Sequence, residues 1–152
     1  DLELRDEAER LAATIAILAD EAVLDGREYG LLVTAESYRV LAYDNASGTW
    51  ADDATRPERR PAAWMRLSLE LEGEALKLPE PKVKEESRPG LAKDEPEKDK
   101  RKEKPVPQVL ILSSGELTPF SLRLEERRAD GNAYALASDG YQLPSAEQAK
   151  ER

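Results

Sequence analysis

The chain has 152 residues, with no cysteine, no histidine and a formal net charge of −9 at pH 7. Zinc sites of Cys/His type, Ser-His-Asp and Cys-His catalysis and disulfide stapling are therefore excluded. The acidic balance argues against a nucleic-acid partner. The length suits one domain, residues 1–152, with a modest core, and no run of 18 apolar residues marks a membrane span.

In chain order the first element is a helix. Leu4, Ala8, Leu11, Ile15, Leu18 and Ala22 recur at spacings of 4, 3, 4, 3 and 4, which is one apolar stripe on an α-helix. The spacing predicts a helix over residues 2–25 (segment 1–25), ended by Gly26 in the left-handed conformation. Leu11, Ile15, Leu18, Ala22 and Val23 are expected to pack on the chain's own sheet. The acidic residues around them, Glu7 and Glu21 included, read as a solvated face. The stripe already runs in the first turn, so the helix is expected to continue a longer one whose start lies upstream. A sheet only a few strands wide, at about 4.8 Å each, is shorter than the roughly 36 Å of such a helix. The first two turns are therefore expected to overhang it, and an overhanging apolar stripe needs a partner. Leu2, Leu4, Ala8 and Leu11 are the expected partner-binding residues.

The β-domain is expected in two pieces, residues 26–78 and 106–143. Tyr29–Thr34 and Tyr38–Tyr43 read as a hairpin, Asp44–Gly48 as a loop and Thr49-Trp50 as a short strand. Residues 52–63 hold Arg56, Pro57, Arg59, Arg60 and Pro61 and read as a connection. Met65, Leu67, Leu69 and Leu71 alternate with Arg66, Ser68, Glu70 and Glu72, which is strand patterning. Gly73 turns it, and Ala75–Leu78 returns. Residues 79–105 are dominated by charges of both signs and broken by prolines. They cannot bury enough surface to offset their ordering entropy and read as a flexible insertion. Beyond them, Val109–Leu112 reads as a strand covered on both faces. Phe120, Leu122 and Leu124 read as one face of a strand. Asp130-Gly131 and Asp139-Gly140 read as turns, followed by strands at Ala133–Ala137 and Tyr141–Leu143. The tail, residues 144–152, is expected to fray.

Candidate chemistry is sparse. Glu70 and Glu72 share a strand face that reads as solvated. Asp44, Asn45, Asp52 and Asp53 offer oxygen ligands close in sequence, but no calcium-loop pattern joins them. Ser113-Ser114-Gly115 has the look of a nucleophile, yet no histidine exists to act as its base, and a turn is the better reading. Trp50 and Trp64 flank the basic loop Arg56–Arg60, a combination that can bind sugars or peptides. No catalytic residue, metal ligand or cofactor is assigned.

Glu7-Ala8-Glu9-Arg10-Leu11-Ala12 and Asp20-Glu21-Ala22-Val23-Leu24-Asp25-Gly26-Arg27-Glu28-Tyr29-Gly30 resemble the end of the long helix and first strand of GspH-type minor pseudopilins of type II secretion. Gln108–Phe120 resembles their later strand, Gly turn and Thr-Pro-Phe strand, and Asp139-Gly140-Tyr141 falls where the family carries a C-terminal Gly. The resemblance covers residues 7–78 and 106–143.

It implies a non-enzymatic structural subunit. Such a subunit is anchored in the inner membrane by an upstream helix absent from this sequence, with the domain in the periplasm of a Gram-negative bacterium. It assembles near the tip of a short fibre with the I-, J- and K-class minor pseudopilins and the G-class major one. The fold expected is α+β, a long N-terminal helix packed on an antiparallel sheet or a two-sheet sandwich. A type IV pilus minor pilin and a periplasmic ligand-binding β-domain are the alternative readings.

Overall fold

The structure, a computed structural model, describes residues 2–73 and 105–149. The return strand expected at Ala75–Leu78, nearly all of the charged insertion and the last three residues lie outside the described residues.

Helix α1 spans Leu2–Asp25. Its stripe is spent in full: Leu4, Ala8, Leu11, Ile15, Leu18 and Ala22 are each no more than 1% exposed. Gly26 ends it at φ +64°, and the Arg27 amide donates to the Ala22 carbonyl at 3.1 Å, which closes the last turn as a left-handed cap.

Among the described residues eight strands follow: β1 Tyr29–Val33, β2 Tyr38–Asp44, β3 Thr49–Asp52, β4 Met65–Leu71, β5 Val109–Ile111, β6 Phe120–Glu126, β7 Ala133–Ser138 and β8 Glu147–Ala149. They form two antiparallel sheets, ordered β3-β2-β1-β5 and β4-β6-β7-β8. The helix contacts β1 and β5 of the first sheet and β6 and β7 of the second. One core joins them, with Leu31, Val40, Val109 and Ile111 from the first sheet and Phe120, Leu122, Leu124 and Leu136 from the second. This is the expected α+β architecture in its two-sheet form.

The overhang of the first turns does not occur. Glu21 meets Tyr29 at the start of β1, while Glu7 meets Tyr38, which pairs with Val33 at its end. The helix thus runs along the strands, not across them, and strand length rather than sheet width sets its support. Leu4, Ala8 and Leu11 are consequently core residues of this chain and unavailable to a partner; of the four expected contact residues only Leu2 is exposed, at 66%. Val23, expected in the core, is instead exposed at 54%, one position past Ala22 on the stripe.

Two features tie the chain leaving the insertion to the first sheet. The Gln108 side chain imitates a strand backbone: its amide Nε2 donates to the Val33 carbonyl and its Oε1 accepts from the Val33 amide, both at 2.9 Å. Pro107 packs on Gly30 of β1 so closely that a Cβ there would lie 2.3 Å from the proline Cγ. Gln108→Ala is expected to cost about 1.5 kcal/mol, because both Val33 backbone groups lose a partner at the end of β1, past its last pair with β5. Chemical denaturation with an unchanged m-value would register it.

The C-terminal expectations fail in a physically simple way. Tyr141–Leu143 is no strand, because the Asp139 carboxylate accepts from the Tyr141 and Gln142 amides and holds a turn. Part of the tail expected to fray is β8, where Glu147–Ala149 pair with Ala133–Ala135.

Candidate functional site

The connection between β3 and β4 fastens the helix to the sheets. Tyr38 and Arg59 exchange backbone hydrogen bonds at 3.0 and 2.9 Å, so the loop joins the free end of the β1–β2 hairpin as a one-residue bridge. That register brings both side chains to one point on the helix. Glu7 receives Arg59 Nη2 at 2.8 Å on Oε1, with Arg59 Nε at 3.0 Å and the Tyr38 hydroxyl at 2.9 Å on Oε2. Glu7 is 6% exposed and sits among the stripe residues. Burial pushes its carboxyl up, but the hydrogen bonds from Arg59 and Tyr38 outweigh it and hold the group below the ordinary carboxylate value. Tyr38 is pushed well above the usual phenol range by burial and by the neighbouring Glu7 charge.

A second fastening lies further along the helix. Arg56 donates from Nη2 to Glu21 at 2.8 Å and from Nη1 to Asp53 at 2.6 Å. Glu21 also accepts from the Tyr29 hydroxyl at 3.3 Å. The two acids are separated by about 21 Å of helix at 1.5 Å per residue. One loop therefore grips one helix at two points.

This arrangement dissolves the sugar- or peptide-binding set expected from Trp50, Trp64 and Arg56–Arg60. Arg56 and Arg59 are turned onto the helix, and Trp50 is buried beside Tyr43, with ring centroids 5.1 Å apart. Trp64, at 38% exposure, lies with Arg127 and Arg128 at the end of the second sheet. Ser113 donates both its amide, at 2.7 Å, and its hydroxyl, at 2.9 Å, to the buried Glu28 carboxylate, which fixes the turn after β5. The acids near Asn45 are engaged as well: Asp44 accepts from the Ala46 amide and the Ser47 hydroxyl, and Asp53 from Thr55 and Arg56. Glu70 and Glu72 lie exposed, as expected.

The solvent side of the helix also carries apolar surface. Leu2, Ile17, Val23 and Leu24 are between 52% and 74% exposed. Among the described residues no helix is long and apolar enough to cross a membrane. The signal for Glu7 was present in the sequence, since it neighbours Ala8 on the stripe, but its partners lie 31 and 52 residues away.

A helix laid along two antiparallel sheets and gripped by a loop defines a pilin-like structural domain. The minor pseudopilin EpsH from the type 2 secretion system of Vibrio cholerae has this fold, with a TM-score of 0.64 at 19% identity over 97% of this chain and 96% of that one. The solution structure of Escherichia coli GspH gives 0.61 at 16% identity, over 97% of this chain and 91% of that one. Type II secretion system protein H of Pseudomonas aeruginosa is 47% identical over 148 residues, which span 97% of this chain and 78% of that protein. The Vibrio cholerae protein H is 30% identical over 133 residues, 80% of this chain and 66% of that protein. Residues 7–140 match the family described as type II transport protein GspH. The chain belongs to that family.

Proposed function

We infer that this chain is a minor pseudopilin of type II secretion, a structural subunit without catalytic work. The family match running from Glu7 to Gly140 carries the reading, since it takes in most of the helix, both fastenings and strands of both sheets. It favours type II secretion over a type IV pilus. The helix supplies attachment and the two sheets supply contact surface. On this reading residues 1–152 work as one periplasmic domain, held at the inner membrane by a helix upstream of Leu2. The partners are the I-, J- and K-class minor pseudopilins and the G-class major one, near the fibre tip. Leu2 is the one residue of the expected contact set that stays accessible, and Ile17 extends the accessible apolar surface along the helix.

Single cysteines at Leu2 and Ile17 test this in cells making the full-length protein. With cysteines also placed one at a time in the other pseudopilins of the same system, disulfide or bismaleimide crosslinks to them are expected from both positions and not from a cysteine at Glu147. Crosslinks absent from the helix positions, or equally frequent from Glu147, would contradict it.

A further inference from the structure

The outward side of α1 carries a second seam. Ala13, Ile17, Asp20 and Leu24 follow one another at spacings of 4, 3 and 4, so they share one face over roughly 16 Å of helix. The turn of about 3.6 residues sets this face opposite the buried Leu11, Ile15, Leu18 and Ala22. All four seam residues are exposed, Ile17 at 52% and Leu24 at 74%.

Asp20 is the one charge in the seam, and it is unbalanced. Among the described residues its carboxylate makes no hydrogen bond or ion pair. The positions three and four residues away on either side are Ile17, Ala16, Val23 and Leu24, so the helix supplies no counter-charge. Its neighbour Glu21 differs, being held by Arg56 and Tyr29. A single polar position in an apolar helix seam costs affinity but selects partner and register. Covering Asp20 without an opposite charge would strand a desolvated carboxylate, so a fitting partner brings a cation to it. A second copy of this helix brings none. Parallel and in register, it sets Asp20 against Asp20; antiparallel about the middle of the seam, it sets Asp20 against Ile17. An anionic lipid surface fits poorly too, because the helix carries seven acids and only two arginines.

We propose that the seam of Ala13, Ile17, Asp20 and Leu24 docks a helix that sets a lysine or arginine opposite Asp20, and that Asp20 bars two copies of this chain from pairing there. The proposal rests on the assembly reading for who the neighbour is, a different pseudopilin. The chemistry of the contact rests on the seam alone. Apolar side chains from the partner helix cover Ile17 and Leu24, Ala13 leaves room for close approach, and the cation on Asp20 fixes the register.

The test uses cells making the full-length protein with a cysteine at Ile17, and cysteines placed one at a time in the helices of the other pseudopilins. Crosslink yield is compared with Asp20 intact, in D20N and in D20K. Asp20 is exposed and holds no other group, so both variants are expected to keep the melting temperature of the parent. D20K is expected to cut the yield by about tenfold, since it sets like charges against each other, and D20N by less. Changing the facing lysine or arginine of the crosslinked helix to glutamate is expected to restore the yield in D20K. Two copies carrying I17C are expected not to crosslink to each other. An unchanged yield in both variants would overturn the proposal. So would a loss in D20K that no such charge reversal restores, or crosslinks between two copies as abundant as those to another pseudopilin. In each of these cases the crosslinks with Asp20 intact persist and the assembly reading stands. If Leu2 and Ile17 give no crosslinks at all, the assembly reading fails and the proposal falls with it.

Discussion

Glu7→Ala is expected to destabilise the protein by about 3 kcal/mol, within the range for breaking a buried, hydrogen-bonded charge pair. The carboxylate accepts three hydrogen bonds from two side chains, and the space around it is shared with the helix stripe. Its removal leaves the buried Tyr38 hydroxyl without its acceptor. Arg59, whose side chain is 43% exposed, can turn to water and recover part of the loss. Glu7→Gln keeps the shape and is expected to cost less. The same group sets a pH dependence. The folded carboxyl titrates below its ordinary value of 4.5, so its contribution is complete above that pH and is lost as pH falls toward the lowered value. Stability measured by urea denaturation between neutral pH and pH 3 should therefore fall more steeply in the parent protein than in Glu7→Gln. Parallel slopes would remove Glu7 from the account.

Gly30→Ala is expected to cost a similar amount, about 3 kcal/mol, for a different reason. Gly30 lies inside β1, paired on one side with Leu41 and on the other with Leu110. Its backbone conformation is ordinary, so freedom of φ is not the issue. A Cβ would meet Pro107 at 2.3 Å from Cγ and 2.6 Å from Cβ, and a proline ring cannot bend away. Either β1 or the segment at Pro107 must move. Moving Pro107 drags Gln108 and its two hydrogen bonds to Val33. The double variant G30A/Q108A should then cost clearly less than the two single losses added together. A melting temperature unchanged by G30A would show that the segment moves freely and that Pro107 fixes nothing.

The two substitutions bear on how far the sequence foretells the molecule. The helix stripe, the alternation of β4 and of β6, the first hairpin and the cap at Gly26 were all legible, because each is encoded by local spacing or by a residue with a special backbone preference. The choice between one sheet and two, and the strand order, were not. Strand order depends on which apolar faces meet across long separations, and the β1–β5 pairing spans the charged insertion. Likewise Glu7 reads as one more acid on a charged helix until Tyr38 and Arg59 are brought to it. β8 escapes notice because Glu147-Gln148-Ala149 is short and carries no apolar alternation. Tyr141–Leu143 shows the limit of alternation over three residues, where one capping carboxylate at Asp139 decides for a turn.

The functional reading was legible to a different degree. Local motifs in the helix, after β5 and near Gly140 pointed to the family to which the chain belongs. Of the residues expected to meet a partner, only Leu2 is accessible. Leu4, Ala8 and Leu11 carry the same pattern whether they face a partner or their own sheets, and the direction of the helix along β1 decides for the sheets. The accessible apolar residues, Leu2, Ile17, Val23 and Leu24, lie off that stripe. Their exposure leaves apolar surface on a helix gripped at Glu7 and Glu21.

The central claim, that the chain serves type II secretion as a structural subunit, is tested most directly by secretion itself. In the source bacterium the chromosomal gene is deleted, and an exported enzyme of the system is assayed in the medium and in the periplasm. The account predicts that the enzyme disappears from the medium and accumulates folded in the periplasm, and that the full-length gene restores export. Undiminished export in the deletion strain would contradict it.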